Sequence, residues 1–194
     1  MKRIYIFCLA LATITLIACK DKNTNNIDGA NTEKVENTES AVVTEDTTVE
    51  EEQAEIAVKE GEEAPDFSLN DLNGKPLALS SLKGKYVIID FWGSWCPWCV
   101  KGMPDMKKYY DKYNDKMDIL SVDYGDTPEM WKEAVEENNM TWKNVLDDEK
   151  KSAVALYGIE GFPTKIVVDP KGKIAKIVVG EDPALYTYLD DLFK

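Results

Sequence analysis

An α/β fold class follows from three features of this 194-residue chain. Strand-like and helix-like stretches alternate from Glu62 to Lys194, the signature of a sheet with helical layers. About 130 residues of that kind are enough for one well-buried core. One near-continuous apolar run, Tyr86-Val87-Ile88-Ile89-Asp90-Phe91-Trp92, has the composition of a central buried strand and empties into Trp95-Cys96-Pro97-Trp98-Cys99.

Taken in order, Phe67-Ser68-Leu69 and Leu77-Ala78-Leu79, split by Asp71-Leu72-Asn73-Gly74, read as a hairpin at the N-terminal side of the sheet. Ser80 to Gly84 is a short turn or helix stopped by glycine, and Tyr86 to Trp92 is the central strand. Cys99 to Tyr113 reads as a helix, with Met103, Met106, Tyr109, Tyr110 and Tyr113 at three- and four-residue spacing and Pro104 expected to kink it. Ile119 to Val122 is a strand. Thr127 to Asn138 is a helix opened by Thr127-Pro128-Glu129. Ser152 to Tyr157 is a short helix, and Thr164 to Val168 and Ile174 to Val179 are strands joined by the turn Asp169-Pro170-Lys171-Gly172. Asp182-Pro183 caps a last helix running to Phe193.

Cys96 and Cys99 are the only cysteines beyond the first twenty residues. A strand leading into Cys-x-x-Cys at the start of a helix is the geometry of a reversible dithiol/disulfide. The first thiol sits where helix amides and the dipole favour its thiolate, and the second resolves the mixed disulfide that the first one forms. The residues therefore read as a disulfide-exchange site. Two other readings stand beside it. Zinc wants four ligands, usually Cys or His, and a chain with no histidine would need carboxylates or a second copy to complete the shell. An inert structural bridge over so short a loop stabilises little. Neither a metal nor a cofactor is expected.

Upstream, Lys2 and Arg3 precede an apolar run from Ile4 to Ile17, too short to span a bilayer comfortably, so residues 1–18 read as a signal peptide. Leu16-Ile17-Ala18-Cys19 resembles the bacterial lipobox, which implies cleavage before Cys19, loss of Cys8 and acylation of Cys19; acyl chains would then hold the protein at a membrane. The expected location is the cell envelope, lipid-anchored with the domain outside the cytoplasm, where disulfide traffic is ordinary. Residues 19–60 read as the lipidated cysteine and a disordered acidic tether. From Lys20 to Glu60 there are four lysines against 12 acidic residues and no aromatic, too little apolar surface to offset ordering entropy. As a flexible coil such a segment spans roughly 35 Å; Val49 to Val58 has the composition of a frayed helix. Of the chain's net charge of −13, the segment 61–194 carries −7, which speaks against nucleic acid as a partner.

The chain resembles the thioredoxin superfamily, and closely its membrane-tethered thiol-disulfide oxidoreductase branch, the TlpA/ResA-like proteins also grouped with the AhpC/TSA and Redoxin domains. The resemblance runs through Ala64-Pro65-Asp66-Phe67, Asn73-Gly74-Lys75, Leu82-Lys83-Gly84-Lys85, Asp90-Phe91-Trp92-Gly93-Ser94-Trp95-Cys96-Pro97-Trp98-Cys99, Gly161-Phe162-Pro163-Thr164 and Asp169-Pro170-Lys171-Gly172-Lys173. It implies a thioredoxin-like fold, a central mixed sheet flanked by helices over 61–194. It implies a redox disulfide between Cys96, the exposed attacking thiol, and Cys99, the shielded resolving one. Asp90 would match the buried aspartate of thioredoxin and take the Cys99 proton, its pKa raised by desolvation. The residues alone leave open an Asp that merely ends a strand. Pro163 would match the cis-proline loop beside the dithiol, with an ordinary edge-strand proline as the alternative. Trp95, Pro97, Trp98, Phe162 and Thr164 would form the substrate-binding surface: Trp95 shielding Cys96, Phe162 pairing its main chain with an extended substrate, Trp98 offering an apolar patch to proteins. Trp92 reads as packing.

Two departures matter. Many relatives carry an acidic residue three positions after the second cysteine; here it is Gly102, so proton transfer is expected to fall more heavily on Asp90. Pro97-Trp98 also differs from the usual dipeptide, which leaves the direction of electron flow open. The function expected is a membrane-tethered oxidoreductase, acting chiefly as a reductase on protein dithiol/disulfide substrates, fed by a membrane electron donor and monomeric. A thioredoxin-fold peroxidase is the nearest rival; its Pro-x-x-x-Thr/Ser-x-x-Cys motif would need a hydroxyl residue where Gly93 stands. A non-catalytic tethered binding module is the second, and the Cys-x-x-x-Cys with a distant histidine that copper chaperones of this fold use is absent.

Overall fold

The computed structural model describes residues 57–148, 150 and 152–194. The expected signal peptide, Cys8, Cys19 and all but the last four residues of the expected tether lie outside the described residues. The elements are β1 (Ser68–Asp71), β2 (Pro76–Ala78), a 3₁₀ turn (Leu79–Leu82), β3 (Tyr86–Trp92), α1 (Pro97–Tyr113), β4 (Met117–Asp123), α2 (Pro128–Glu137), β5 (Lys143–Leu146), α3 (Ala153–Tyr157), β6 (Thr164–Val168), β7 (Ile174–Val179) and α4 (Ala184–Leu192).

One seven-stranded sheet runs in the order β2-β1-β5-β4-β3-β6-β7. Its centre is parallel, β3 with β4 and β4 with β5, and both flanks are antiparallel. β3 lies inside the sheet between β4 and β6 and is buried on both faces, which is why its sequence is apolar rather than alternating. Val87, Ile89 and Phe91 face a core with Phe67, Val122 and Tyr157, while Ile88 and Trp92 face the other with Met103, Met106, Trp131, Leu185 and Leu189.

The hairpin forms where expected, its turn held by Asp71 Oδ1, which accepts from the amides of Asn73 and Lys75 at 2.8 and 2.9 Å. Thr127 caps α2, its hydroxyl accepting from Met130 N–H at 3.3 Å, with Pro128 in the first turn. α1 begins at Pro97, two residues before the expected start, and stays helical across Pro104.

Two expectations need correction. β5 was not expected: Lys143-Asn144-Val145-Leu146 has neither alternation nor a continuous apolar run. It is held by pairing with β4 on one side and β1 on the other. The domain also begins earlier than residue 61. Val58 is buried in the core, Ala57 N–H donates to Tyr157 O at 3.1 Å, and Glu60 Oε1 accepts from Ile177 N–H at 3.0 Å. Gly158, at φ +63°, allows this: a Cβ there would sit 2.6 Å from Ala57 N.

Candidate active site

β3 delivers the chain to the end of the sheet at Trp92, and α1 takes it away from Pro97. Cys96 is the residue between them, the N-cap of α1, with extended backbone at φ −94°, ψ 103°. Pro97 suits the first helical position because it has no N–H to leave unpaired. The loop 93–95 is held from β4's end: Asp126 accepts from both Ser94 N–H and Ser94 Oγ–H at 2.8 Å, and Trp92 O accepts from Tyr124 N–H at 2.9 Å.

Cys96 and Cys99 are joined in a disulfide across the first turn, with Cα atoms 5.2 Å apart. Cys96 Sγ accepts from the Cys99 amide at 3.1 Å, the capping bond a serine would make, so the sulfur already sits at the positive end of the helix. The expected exposure of Cys96 is corrected here: it is 4 % exposed and Cys99 2 %. In the disulfide-bonded state Cys96 lies under the surface at the N-cap of α1.

Around the dithiol the three tryptophans part company. Trp92 is fully buried packing. Trp95 is half-exposed and folds toward the neighbouring loop, its indole N–H donating to Tyr124 O at 2.8 Å and its ring edge-on to Phe162 at 5.3 Å. Gly93 leaves room for it: a Cβ there would lie 2.7 Å from Trp95 Cε2 and 2.9 Å from Tyr124 O. Trp98 is 60 % exposed, with the Lys101 ammonium 4.6 Å from its ring centre. Tyr124 stacks on Phe162 at 5.6 Å. The Phe162–Pro163 peptide bond is cis, Pro163 O accepts from Gly180 N–H at 2.7 Å, and buried Thr164 donates its hydroxyl to Gly161 O at 2.7 Å.

Asp90 sits inside β3, not at its end, on the same sheet face as Ile88, Trp92 and the α1 core that includes both cysteines. It stands in register with Ser121 of β4 and Lys165 of β6, a polar row across three buried strands. Ser121 Oγ–H donates to Asp90 Oδ2 at 3.0 Å, and Trp142 indole N–H donates to Ser121 Oγ at 2.8 Å. Burial raises the Asp90 pKa; the Lys165 charge and the Ser121 bond pull against that, and Glu181 adds to it.

Lys165, Glu181, Ser121 and Trp142 were not among the expected site residues. Lys165 carried a signal that reading the strand only as apolar passes over: a lysine at the second position of a five-residue buried strand must point inward and find an anion. That anion is Glu181, its Oε2 2.8 Å from Lys165 Nζ. Gly102 was expected to bring no acidic side chain of its own, and the space over it is occupied by the Glu181 carboxylate, with a Cβ there 2.8 Å from its Oε1. Among the described residues no group of three or more Cys, Asp or Glu is arranged to hold a metal.

Comparison with known proteins gives the same reading. Residues 60–177 match the AhpC/TSA family. The thiol-disulfide oxidoreductase ResA of Bacillus anthracis is 37 % identical over 122 residues, 62 % of this chain and 70 % of that protein. The thioredoxin-like protein YneN of Bacillus subtilis is 35 % identical over 129 residues, 65 % of this chain and 75 % of that one. Among solved structures, the thioredoxin domain of a thiol-disulfide oxidoreductase from Bacteroides vulgatus superposes with a TM-score of 0.64 at 36 % identity, covering 71 % of this chain and all of that one. With a mixed sheet, a dithiol at a strand–helix junction and these relatives, the chain belongs to the AhpC/TSA family, as a ResA-like thiol-disulfide oxidoreductase of the thioredoxin superfamily.

Proposed function

We propose that this enzyme reduces disulfides in exported proteins from a membrane surface, held there by acylated Cys19 and re-reduced by a membrane electron donor. The observation that carries the chemistry is the Cys96–Cys99 bond at the N-cap of α1, whose Cys96 sulfur is the hydrogen-bonded cap of the helix. The anchor rests on Lys2-Arg3, the apolar run that follows and Leu16-Ile17-Ala18-Cys19.

In the reduced protein the Cys96 thiolate, favoured by the helix terminus, attacks a substrate disulfide. One substrate thiolate leaves and takes a proton from water, and Cys96 is left in a mixed disulfide. Cys99 S–H gives its proton to Asp90, and the resulting thiolate attacks Cys96 Sγ. The bond to the substrate breaks, the second substrate thiolate is protonated, and Cys96–Cys99 forms. Two electrons pass from the dithiol to the substrate. Asp90, held from one side by Ser121 and made basic by burial, serves as the base of the second step. The Phe162 main chain beside Pro163 pairs with the extended substrate, and Trp95 and Trp98 with Tyr124 provide its apolar footing.

The test is the reduction potential of the Cys96–Cys99 couple in dithiol/disulfide buffers, read by tryptophan fluorescence. A value near or below about −250 mV agrees with a reductase; one between about −120 and −180 mV makes it an oxidant or isomerase instead. Absence of any reversible couple would remove the exchange reading.

A further inference from the structure

Glu181 lies in the turn between β7 and α4, far along the chain from the dithiol, yet its carboxylate is committed inside the fold. Oε2 accepts from Lys165 Nζ at 2.8 Å and Oε1 accepts from the Tyr186 hydroxyl at 3.0 Å, with 16 % of the side chain exposed. The space it fills exists because residue 102 has no side chain: a Cβ at Gly102 would lie 2.5 Å from Glu181 Cδ. Gly102 follows Cys99 by three residues, one helical turn, so Glu181 rests against the face of α1 that carries the resolving cysteine. On its other side it grips Lys165, which stands opposite Asp90 in the β3–β6 register. The buried ammonium thus has two carboxylates within its field, and its hydrogen bond goes to Glu181, while Asp90 takes its own from Ser121.

We propose that Glu181 is a positioning residue of the dithiol site: it holds the Lys165 ammonium to itself and away from Asp90, leaving Asp90 able to accept the Cys99 proton. The inference rests on, and deepens, the exchange reaction above. Were Glu181 neutral, the Lys165 cation would have Asp90 as its one anionic neighbour in this buried row. Attraction at low dielectric would then keep Asp90 ionised and make it a poor acceptor. Were Lys165 neutral, Asp90 would lose its cation and keep the repulsion of Glu181, so it would hold its proton to higher pH. The two losses act in opposite directions. The charged and titratable groups acting on Asp90 are Lys165 from β6, Glu181 from the β7–α4 turn and Tyr186 from α4, with Asp105 on α1 acting on Tyr186; Ser121 from β4 does not titrate, and Cys99 of α1 lies in the core on the same sheet face.

The test is a carbon-13 titration of the Asp90 carboxyl in the full-length oxidised protein, where neither cysteine titrates and the result does not depend on turnover. We expect Glu181→Gln to make Asp90 at least tenfold more acidic and Lys165→Met to make it at least tenfold less so, with Glu181→Asp close to the wild type. Lys165→Gln replaces Lys165→Met if the latter does not fold. The pH limb of disulfide reduction by the reduced protein should move in the same two directions. An Asp90 titration that does not move, or moves the same way in both variants, overturns the proposal, as does a rate profile that ignores a shifted Asp90. A wild-type protein with no reversible couple would instead remove the exchange reading, and the titration would still report on Glu181.

Discussion

Asp126 holds Ser94 by two bonds at once, Oδ2 from the amide and Oδ1 from the hydroxyl, each at 2.8 Å. The pair ties the loop before Trp95 and Cys96 to the segment just after β4, so the capping sulfur's approach to α1 depends on a residue thirty positions away. Asp126→Ala removes both acceptors, and hydrogen bonds to a charged partner are worth about 1.5–3 kcal/mol each when half-buried. A loss of at least about 3 kcal/mol in urea unfolding is expected, with slower exchange because Trp95 is less firmly placed. The comparison belongs near pH 5, well below the raised pKa of wild-type Asp123; an unchanged midpoint there would show the bonds to be idle.

Asp90→Asn removes the base proposed for the resolving step, so reduction of a model disulfide should slow by about 10²-fold at neutral pH. It should also stabilise the fold. The native pKa of Asp90 lies above its unfolded value, so its favourable contribution is complete below that unfolded value and is lost as pH rises through the native one. Urea melts at pH 7 should therefore favour the variant, and melts near pH 4 should not. A variant less stable at both would contradict the burial argument.

Asp123 gives a second pH signature, with a number attached. Fully buried at the end of β4, it is pushed up to about 8, by burial first and then by the neighbouring Asp126, with Asp147 adding to the effect. By the same sign rule, wild-type stability should fall between about pH 4 and pH 8, on the order of a few kcal/mol in total. Asp123→Asn should flatten that slope. Denaturant midpoints measured across this window check it, and a slope shared by both proteins would place the titration elsewhere.

The anchor is tested without the fold. Expressed in a bacterial host with a lipoprotein pathway, the wild-type chain should partition with the membrane fraction, and Cys19→Ser should release it while leaving the potential of the Cys96–Cys99 couple unchanged. Release of both proteins alike would remove the acylation reading.

The dithiol, the central strand and the cis-proline loop were legible in the sequence because each is local: a spacing, an apolar run, a Gly-Phe-Pro-Thr segment. Asp90 was legible as a charge inside such a run. What escaped was whatever depends on two distant segments meeting. β5 is a strand only because β4 and β1 flank it, since Lys143 and Asn144 have no strand pattern of their own. Glu181 is a site residue only because β7 returns beside β6 and because Gly102 leaves a vacancy on α1. Cys96 was expected in the open, and in the disulfide-bonded state it lies under the surface.

The chain of donors behind Asp90 gives the site a handedness. The Trp142 indole can only donate, so it occupies an acceptor position on Ser121 and commits that hydroxyl's single proton to Asp90 Oδ2. A neutral Asp90 must then carry its own proton on Oδ1. The two oxygens of one carboxyl are therefore not interchangeable: one is always spoken for, and the other alone gains and loses a hydrogen. An amide at this position would be sorted the same way, oxygen toward Ser121 and NH₂ on the side where the acid keeps its proton. Asp90→Asn is thus more than the loss of a carboxylate; it is a stable likeness of the neutral acid, with Oδ1 replaced by the NH₂.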